Sequence, residues 1–335
     1  MHTLHHAAVL GLAWLQVSTA LRVQHEEARG GPGPVVIVGL GGKPTSAVKL
    51  LLSHLGVEMC HYTSQKVELE KDGQGPQDND YTMTVEKYIP QLMRAAGGEA
   101  SKAFSYHDSP AFWTAVSKES KAAHLTKECI KVNRKRHHRK GGNYSWGYKN
   151  NDHLYLLPVI DEAFYRTERI VAVVRDPRDT CAGHHKDEFT RLQRLANDVT
   201  NRSDSNQTKE TACYLYWADV WKSLLAQYGE ESRFKVVRIE DLVIPKPSAD
   251  NKALGCLLGH AGVRPKAEAR RQRLVTLHDD VSTYMGHTRK EKVRTRQEAS
   301  AASAGGVLHE VMSALGYRLD AYGLEAPRAQ AVCKP

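Results

Sequence analysis

The stretch that decides the fold is RIVAVVRDPRDTCAGHHKDE, residues 169–188. From Ile170 to Val174 the run is apolar without a break, and it lacks the alternation of a half-exposed strand. It reads as a short strand buried on both faces. The run stops abruptly at Arg175-Asp176-Pro177-Arg178-Asp179, a charged turn around a proline that ends the strand. Buried strands with polar turns at their carboxyl ends are the parts of a parallel sheet, and ligands of such sheets sit just outside those ends.

Working outward, the same pattern recurs on both sides. Val35-Val36-Ile37-Val38 is a second buried run, and it feeds Gly39-Leu40-Gly41-Gly42. Ser46 to Leu55 then carries Val48, Leu51, Leu52 and Leu55 on one helical face, and Gly56 stops it. Downstream, Phe234 to Ile239 is a third strand, followed by Glu240-Asp241-Leu242. Between the second and third of these strands, Thr208 to Tyr228 is the clearest helix. Its Tyr214, Trp217, Trp221, Leu224, Leu225 and Tyr228 share a face, so the tryptophans read as core. Further helices are expected from Tyr155 to Phe164 and from Val307 to Leu315, the latter closed by Gly316-Tyr317. Strands alternating with helices predict an α/β fold: a mostly parallel central sheet flanked by helices, entered through a P-loop-like strand-loop-helix. Residues 62–145 are polar and poorly periodic, with helices plausible at Thr84–Ala96 and Pro110–Lys127.

Composition narrows the class. Hydrophobic residues make up 41% of the 335 and charged residues 25%, the balance of a chain that folds around a core. No apolar run reaches the ~20 residues of a membrane span. Lys and Arg number 47 against 38 Asp and Glu, a net charge of +9 that favours an anionic partner. Six of those positive charges fall between Lys131 and Lys140, which also holds two histidines and no acid. The basicity is therefore local. It reads as a solvated loop or a contact for an acidic glycan. Aromatics there are too few for a stacking surface, so nucleic acid is not expected.

The glycine loop has chemistry of its own. Glycines allow the backbone to approach a phosphate closely, and a following helix N-terminus adds free N–H groups and a favourable dipole. Lys43 can place a charge on such an anion, and Thr45 and Ser46 can donate hydroxyls. The loop is not a Walker A motif, which would need Gly at 37 and Ser or Thr at 44, where the chain has Ile37 and Pro44. It half-fits a dinucleotide fingerprint, with Gly39 and Gly41 in place, Pro44 replacing the third glycine, and Glu58 beyond. A plain strand-to-helix turn fits the same residues.

Taken together, these segments resemble the sulfotransferases that use 3′-phosphoadenosine 5′-phosphosulfate (PAPS). In that family a strand ends in an R-[ND]-[PG]-[RK]-D run, matched here by Arg175 to Asp179, and the glycine loop corresponds to the 5′-phosphosulfate loop. Trp146-Gly147-Tyr148-Lys149-Asn150 with the following LYLLP, Val237 to Leu242, and Leu315-Gly316-Tyr317 resemble three further landmarks in family order. The resemblance spans residues 35 to about 320. It implies a sulfuryl transfer from PAPS to an acceptor hydroxyl, with no metal.

The resemblance also implies roles. Arg175 would hold the 3′-phosphate through its planar fork. Gly41, Gly42, Lys43, Pro44, Thr45 and Ser46 would hold the 5′-phosphosulfate, with Lys43 stabilising charge in the transition state. Lys149 would reach the sulfonate, and the base would be His107 or Glu86. Arg289 and Lys290 fall where the family closes a loop over the nucleotide, and a solvated basic face fits them equally. Glu240 and Asp241 would be architectural. The chain departs from the family in two places. Gly42, Lys43 and Pro44 stand where a cation, Ser and Gly are usual, so one backbone donor is lost. Gly183 stands where a serine usually touches the 3′-phosphate, with Thr180, His184 or Lys186 as substitutes. These departures leave open a catalytically impaired relative that binds acidic glycans, and the half-fitting fingerprint leaves open an NAD(P)-binding Rossmann enzyme.

Residues 1–20 carry no Lys, Arg, Asp or Glu, are apolar from Ala7 to Val17, and end in small residues. They read as a signal peptide, or as an uncleaved anchor that would be the chain's contact with a membrane. Three sequons, at Asn143, Asn201 and Asn206, fit a glycoprotein of the secretory pathway, Golgi-luminal or secreted. The expected organisation is a linker over 21–34, a sulfotransferase domain over 35–325 with a variable acceptor or lid region at 60–145, and a tail over 326–335. Cys60, Cys129, Cys181, Cys213, Cys256 and Cys333 permit disulfides in 15 connectivities, or buried free thiols.

Overall fold

A computed structural model describes residues 33–40, 42–62, 67–69, 145–155, 157, 161, 167–181, 209–243, 251–263, 305–318 and 331–333. The expected helices at Thr84–Ala96 and Pro110–Lys127, the leader, the three sequon asparagines and the basic run at 131–140 lie outside them. The elements in chain order begin with β1 (Val35–Gly39), α1 (Gly42–His54), β2 (Glu58–Tyr62), β3 (Val67–Leu69) and β4 (Trp146–Lys149). A 3-10 turn (Asn151–Tyr155), β5 (Arg169–Val174) and the short α2 (Pro177–Thr180) follow. The rest are α3 (Lys209–Tyr228), β6 (Phe234–Arg238), α4 (Ile239–Val243), α5 (Lys252–His260) and α6 (Gly305–Leu315).

The six strands form one sheet in the order β3-β2-β4-β1-β5-β6. All neighbours are parallel except β2 and β3. The expected α/β fold with a mostly parallel sheet is what the chain adopts.

The continuous apolar runs have a simple cause, since β1 and β5 are covered on both faces. Val36 and Val38 of β1 and Ile170, Ala172 and Val174 of β5 face α3 and α6, where Trp217, Trp221, Leu308 and Met312 are enclosed. The intervening Val35, Ile37, Val171 and Val173 face α1 and α5. Period-2 alternation thus distributes the same strand between two cores. Trp217 and Trp221 are core residues, as their spacing implies. Both are fully buried, so truncating either should cost about 3–5 kcal/mol.

These two cores also fix where the connections go. The helix after β1 packs on one face of the sheet, and the long helix reached from β5 packs on the other. Adjacent strands whose connections leave on opposite faces create a crevice at their carboxyl ends. In this sheet that crevice lies between β1 and β5.

Residues 331–333, within the stretch read as a tail, return to the sheet. Val332 bridges Val236 of β6 in parallel, with Val236 N–H donating to Ala331 O and Cys333 N–H donating to Val236 O. A disulfide joins Cys333 to Cys256 of α5. No described residue is a free cysteine, so the alternative of buried free thiols does not hold for Cys181, Cys213, Cys256 and Cys333. Among the described residues no helix is long and apolar enough to cross a membrane.

Candidate anion-binding site at the carboxyl ends of the strands

Two of the motifs meet at the crevice. Gly39, the last residue of β1, pairs with Val173 of β5, so the glycine loop and the Arg175 turn leave neighbouring strand ends. A Cβ on Gly39 would lie 2.5 Å from Val173 O and 2.8 Å from the Thr45 Cγ2. The glycine is needed here for close packing of strand, helix and strand.

The helix α1 begins at Gly42, earlier than its apolar face suggests. Pro44 therefore sits in the first turn, where its missing N–H would have had no helical partner in any case. The N-terminal end of α1 therefore lies at the crevice. There is no acidic side chain in that turn to oppose an anion. Thr45 and Ser46 are buried. The Thr45 hydroxyl donates to Asn151 Oδ1 at 2.7 Å, which ties the helix start to the segment after β4.

The strand β4 brings Lys149 and Asn150 to the same edge. Lys149 lies opposite Ile37 of β1, and the Asn150 N–H donates to Ile37 O. Next in line, His153 is buried in the 3-10 turn. Its Nδ1 is 3.3 Å from the Tyr148 hydroxyl, and its ring meets Tyr148 edge-on. Burial lowers its pKa to about 4, so the ring is neutral at physiological pH.

On the β5 side the charged turn divides its labour. The Arg175 guanidinium is half-buried, and Asp179 at 3.5 Å is its partner among the described residues. Arg178 is fully buried and turned inward. Its Nε and Nη2 donate to both oxygens of Asp176, at 2.7 to 3.2 Å. Asp176 also caps α2 by accepting from the Arg178 N–H, and its carbonyl accepts from the Thr180 hydroxyl. Thr180, offered from the sequence as a substitute for the serine missing at Gly183, therefore has its hydroxyl directed at the turn's own backbone. A disulfide from Cys181 to Cys213 anchors the far end of the turn to α3.

Behind the turn lies a buried polar lattice. The Asp176 N–H donates to Glu240 Oε1 at 2.9 Å, and the Tyr317 hydroxyl donates to Glu240 Oε2 at 2.8 Å. Arg238, fully buried, pairs through Nε and Nη2 with Asp241 and donates to the Gly316 carbonyl. The architectural reading of Glu240 and Asp241 fits these contacts. Burial, with the Asp176 charge added, pushes Glu240 up to about 7, against the donors that favour its carboxylate.

Of the residues nominated from sequence, Pro44, Thr45, Ser46, Lys149 and Arg175 gather around the β4, β1 and β5 ends. Gly42 and Lys43 belong to the first turn of α1, but their side-chain surroundings lie outside the described residues. Gly41, His107 and Gly183 lie outside them altogether, as do Glu86, His184, Lys186, Arg289 and Lys290. Sequence reasoning missed Asn151, His153 and the Asp176–Arg178 pair. The last was readable in principle, because Asp before Pro at a helix start is a capping pattern.

No protein-family model and no curated protein matches the chain. Several solved structures are distantly similar. A sulfotransferase domain from the curacin biosynthetic pathway aligns at 14% identity with a TM-score of 0.35, over 81% of this chain and 98% of that one. A sulfotransferase from Mycobacterium avium aligns at 13% identity with a TM-score of 0.42, over 93% and 83%. A sulfotransferase from Mycobacterium tuberculosis aligns at 15% identity with a TM-score of 0.30, over 88% and 80%.

Proposed function

We propose that this chain is a sulfotransferase that moves a sulfuryl group from PAPS to a hydroxyl of an acceptor, a carbohydrate by preference. One observation carries the reading. Arg175 stands at a strand end beside the glycine loop and the α1 N-terminus, where connections leave the sheet on opposite faces. A fork-shaped cation and the positive end of a helix at one crevice support a nucleotide with phosphates at two positions. The donors present fit such a ligand, and no acid stands in the first turn of α1.

The residues divide the work as follows. Arg175 holds the 3′-phosphate. The first-turn N–H groups and Lys43 hold the 5′ side and stabilise charge on the oxygen that leaves sulfur. Lys149, at the end of β4, supports the sulfonate oxygens. The acceptor oxygen attacks sulfur, the bond from sulfur to the phosphate oxygen breaks, and the acceptor proton passes to a base, His107. The nucleotide leaves as 3′-phosphoadenosine 5′-phosphate.

The Cys181–Cys213 and Cys256–Cys333 disulfides support a secretory location, Golgi-luminal or secreted, because such bonds persist in oxidising compartments. The basic run from Lys131 to Lys140 supports an acidic glycan as acceptor. The dinucleotide alternative is disfavoured by strand order. Counted along the chain, the parallel strands lie in the order second, third, first, fourth, fifth. In the dinucleotide fold the second strand neighbours the first. A binding-only relative is favoured by one observation, the Gly42-Lys43-Pro44 start of α1 with its lost donor.

Two measurements test this. In thermal shift, 3′-phosphoadenosine 5′-phosphate should stabilise the protein by about 2.7 kcal/mol at 100-fold over Kd, far more than 5′-AMP or NAD. Transfer of label from radioactive PAPS to heparan or chondroitin chains should follow. Equal shifts for the two adenine nucleotides would overturn the assignment. A strong shift without transfer to any hydroxyl acceptor would establish the binding-only relative.

A further inference from the structure

Arg175 has little of its own to hold it in place. Among the described residues its guanidinium meets Asp179, at a loose 3.5 Å, and the residue is the first beyond the last hydrogen-bonded position of β5. What fixes its direction is the peptide that follows it. The N–H of that peptide, belonging to Asp176, donates to Glu240 Oε1 at 2.9 Å. Glu240 comes from a different element, the start of α4 just after β6. Its second oxygen accepts from the Tyr317 hydroxyl at 2.8 Å, and Tyr317 follows Gly316, whose positive φ of 80° closes α6. The Gly316 carbonyl is held in turn by the buried Arg238. A continuous set of hydrogen bonds therefore runs from the end of α6, through one carboxylate, to the peptide plane beside Arg175.

Beyond Asp176 the turn is already rigid, through the Asp176–Arg178 pair, the α2 cap and the disulfide at Cys181. On the other side β5 is locked in the sheet. The peptide between Arg175 and Asp176 is the joint between two fixed bodies, and Glu240 is the side chain that grips it.

We infer that Glu240, backed by Tyr317, is a positioning residue for Arg175 and thereby sets how much affinity the protein gains from a 3′-phosphate. This rests on the nucleotide reading proposed above. Neither Glu240 nor Tyr317 need touch the ligand. Their effect passes through the orientation of one peptide, so it should fall on the 3′-phosphate alone and spare the rest of the nucleotide.

The readout is the ratio of Kd for 5′-AMP to Kd for 3′-phosphoadenosine 5′-phosphate, measured by calorimetry on the full chain. In the wild type this ratio should exceed 10²-fold, and in Arg175→Ala it should collapse towards one. Glu240→Ala should lower the ratio about tenfold while leaving Kd for 5′-AMP within about twofold. Glu240→Gln keeps an oxygen for the Asp176 N–H and should restore the ratio to within about threefold of wild type. Tyr317→Phe, which removes one hydroxyl and keeps the ring, should lower it about threefold and carries the test if Glu240→Ala does not fold. A wild-type ratio near one overturns the nucleotide reading and this inference with it. A high wild-type ratio that Glu240→Ala or Tyr317→Phe leaves unchanged in folded protein overturns the positioning role alone.

Discussion

Arg175 and Arg178 occupy one short turn and face opposite ways. Arg178 is fully buried against Asp176, whereas Arg175 stays half-exposed at the crevice. Their chemistry is identical, so only the backbone path decides which one faces the crevice. That path was partly legible. The resemblance to the PAPS sulfotransferases singled out Arg175, as the leading arginine of the Arg175 to Asp179 run at a strand end. It did not say that the next arginine would turn inward, because the Asp176 carboxylate that draws it in lies within two residues of both. Breaking the inward pair should be costly: Arg178→Ala strands a buried carboxylate and should destabilise by about 3–5 kcal/mol, seen as a fall in Tm. Lys43→Ala belongs to another class. In the proposed sulfuryl transfer its charge would act on an oxygen that becomes negative mainly in the transition state, so kcat should fall on the order of 10²-fold. Product affinity, measured by calorimetry, should change only a few-fold. Unchanged turnover would move the role to Lys149.

Elements differ in how openly the sequence declares them. β5 runs from Arg169 to Val174, as its apolar run implies, because burial on both faces leaves no polar position to blur the ends. β2 and β3 were not foreseen. They lie at one edge of the sheet, and their residues (EMCHY and VEL) are too short and mixed for a clear period. α5 was also missed, since Gly255 and Gly259 weaken its helical signal over only nine residues. α1 was found but starts at Gly42 instead of Ser46. Its first turn holds Gly, Lys and Pro, which suit a helix start but add nothing to an apolar face. The junction of β1 and α1 makes a sharp prediction. Gly39→Ala would place a methyl 2.5 Å from the Val173 carbonyl oxygen and 2.8 Å from the buried Thr45 Cγ2, between a strand backbone and a side chain with no room to move. A loss of about 2 kcal/mol is expected, with a Tm drop of roughly 4–8 °C and weaker nucleotide binding. Gly306→Ala in α6, where nothing lies within 4 Å, should hold or raise Tm.

At the scale of the molecule, buried titratable groups set opposing pH limits. His153 and His260 are both lowered to about 4 by burial, so folding sheds protons they would otherwise bind below about 6.5. Their contribution to stability is lost as pH falls from 6.5 towards 4. Glu240 is raised to about 7, and burial holds Glu168 above the usual carboxylate range despite Arg233 beside it. These two bind protons in the folded state that the unfolded chain has released, so their contribution falls as pH rises from about 4.5 to 7 and beyond. Urea unfolding should therefore give a stability maximum near pH 6, with an alkaline limb that Glu240→Gln flattens. A limb unaltered in that variant would assign it to other groups. The two disulfides span 32 and 77 residues, each worth about 4 kcal/mol by loop entropy, and reduction should lower Tm accordingly. The second of them has a temporal meaning. The outer edge of β6 and the Cys256 thiol are made first, and the Val332 strand pairing and the Cys333 thiol that complete them follow, the thiol 77 residues after Cys256. A chain leaving the ribosome amino end first must carry an open sheet edge and an unpaired thiol through those 77 residues of synthesis, both liable to wrong partners. Nascent chains halted before Ala331 should stay protease-sensitive and trap mixed disulfides at Cys256, while chains extended past Cys333 close in one step. Closure of this edge of the sheet therefore waits on the segment around Cys333.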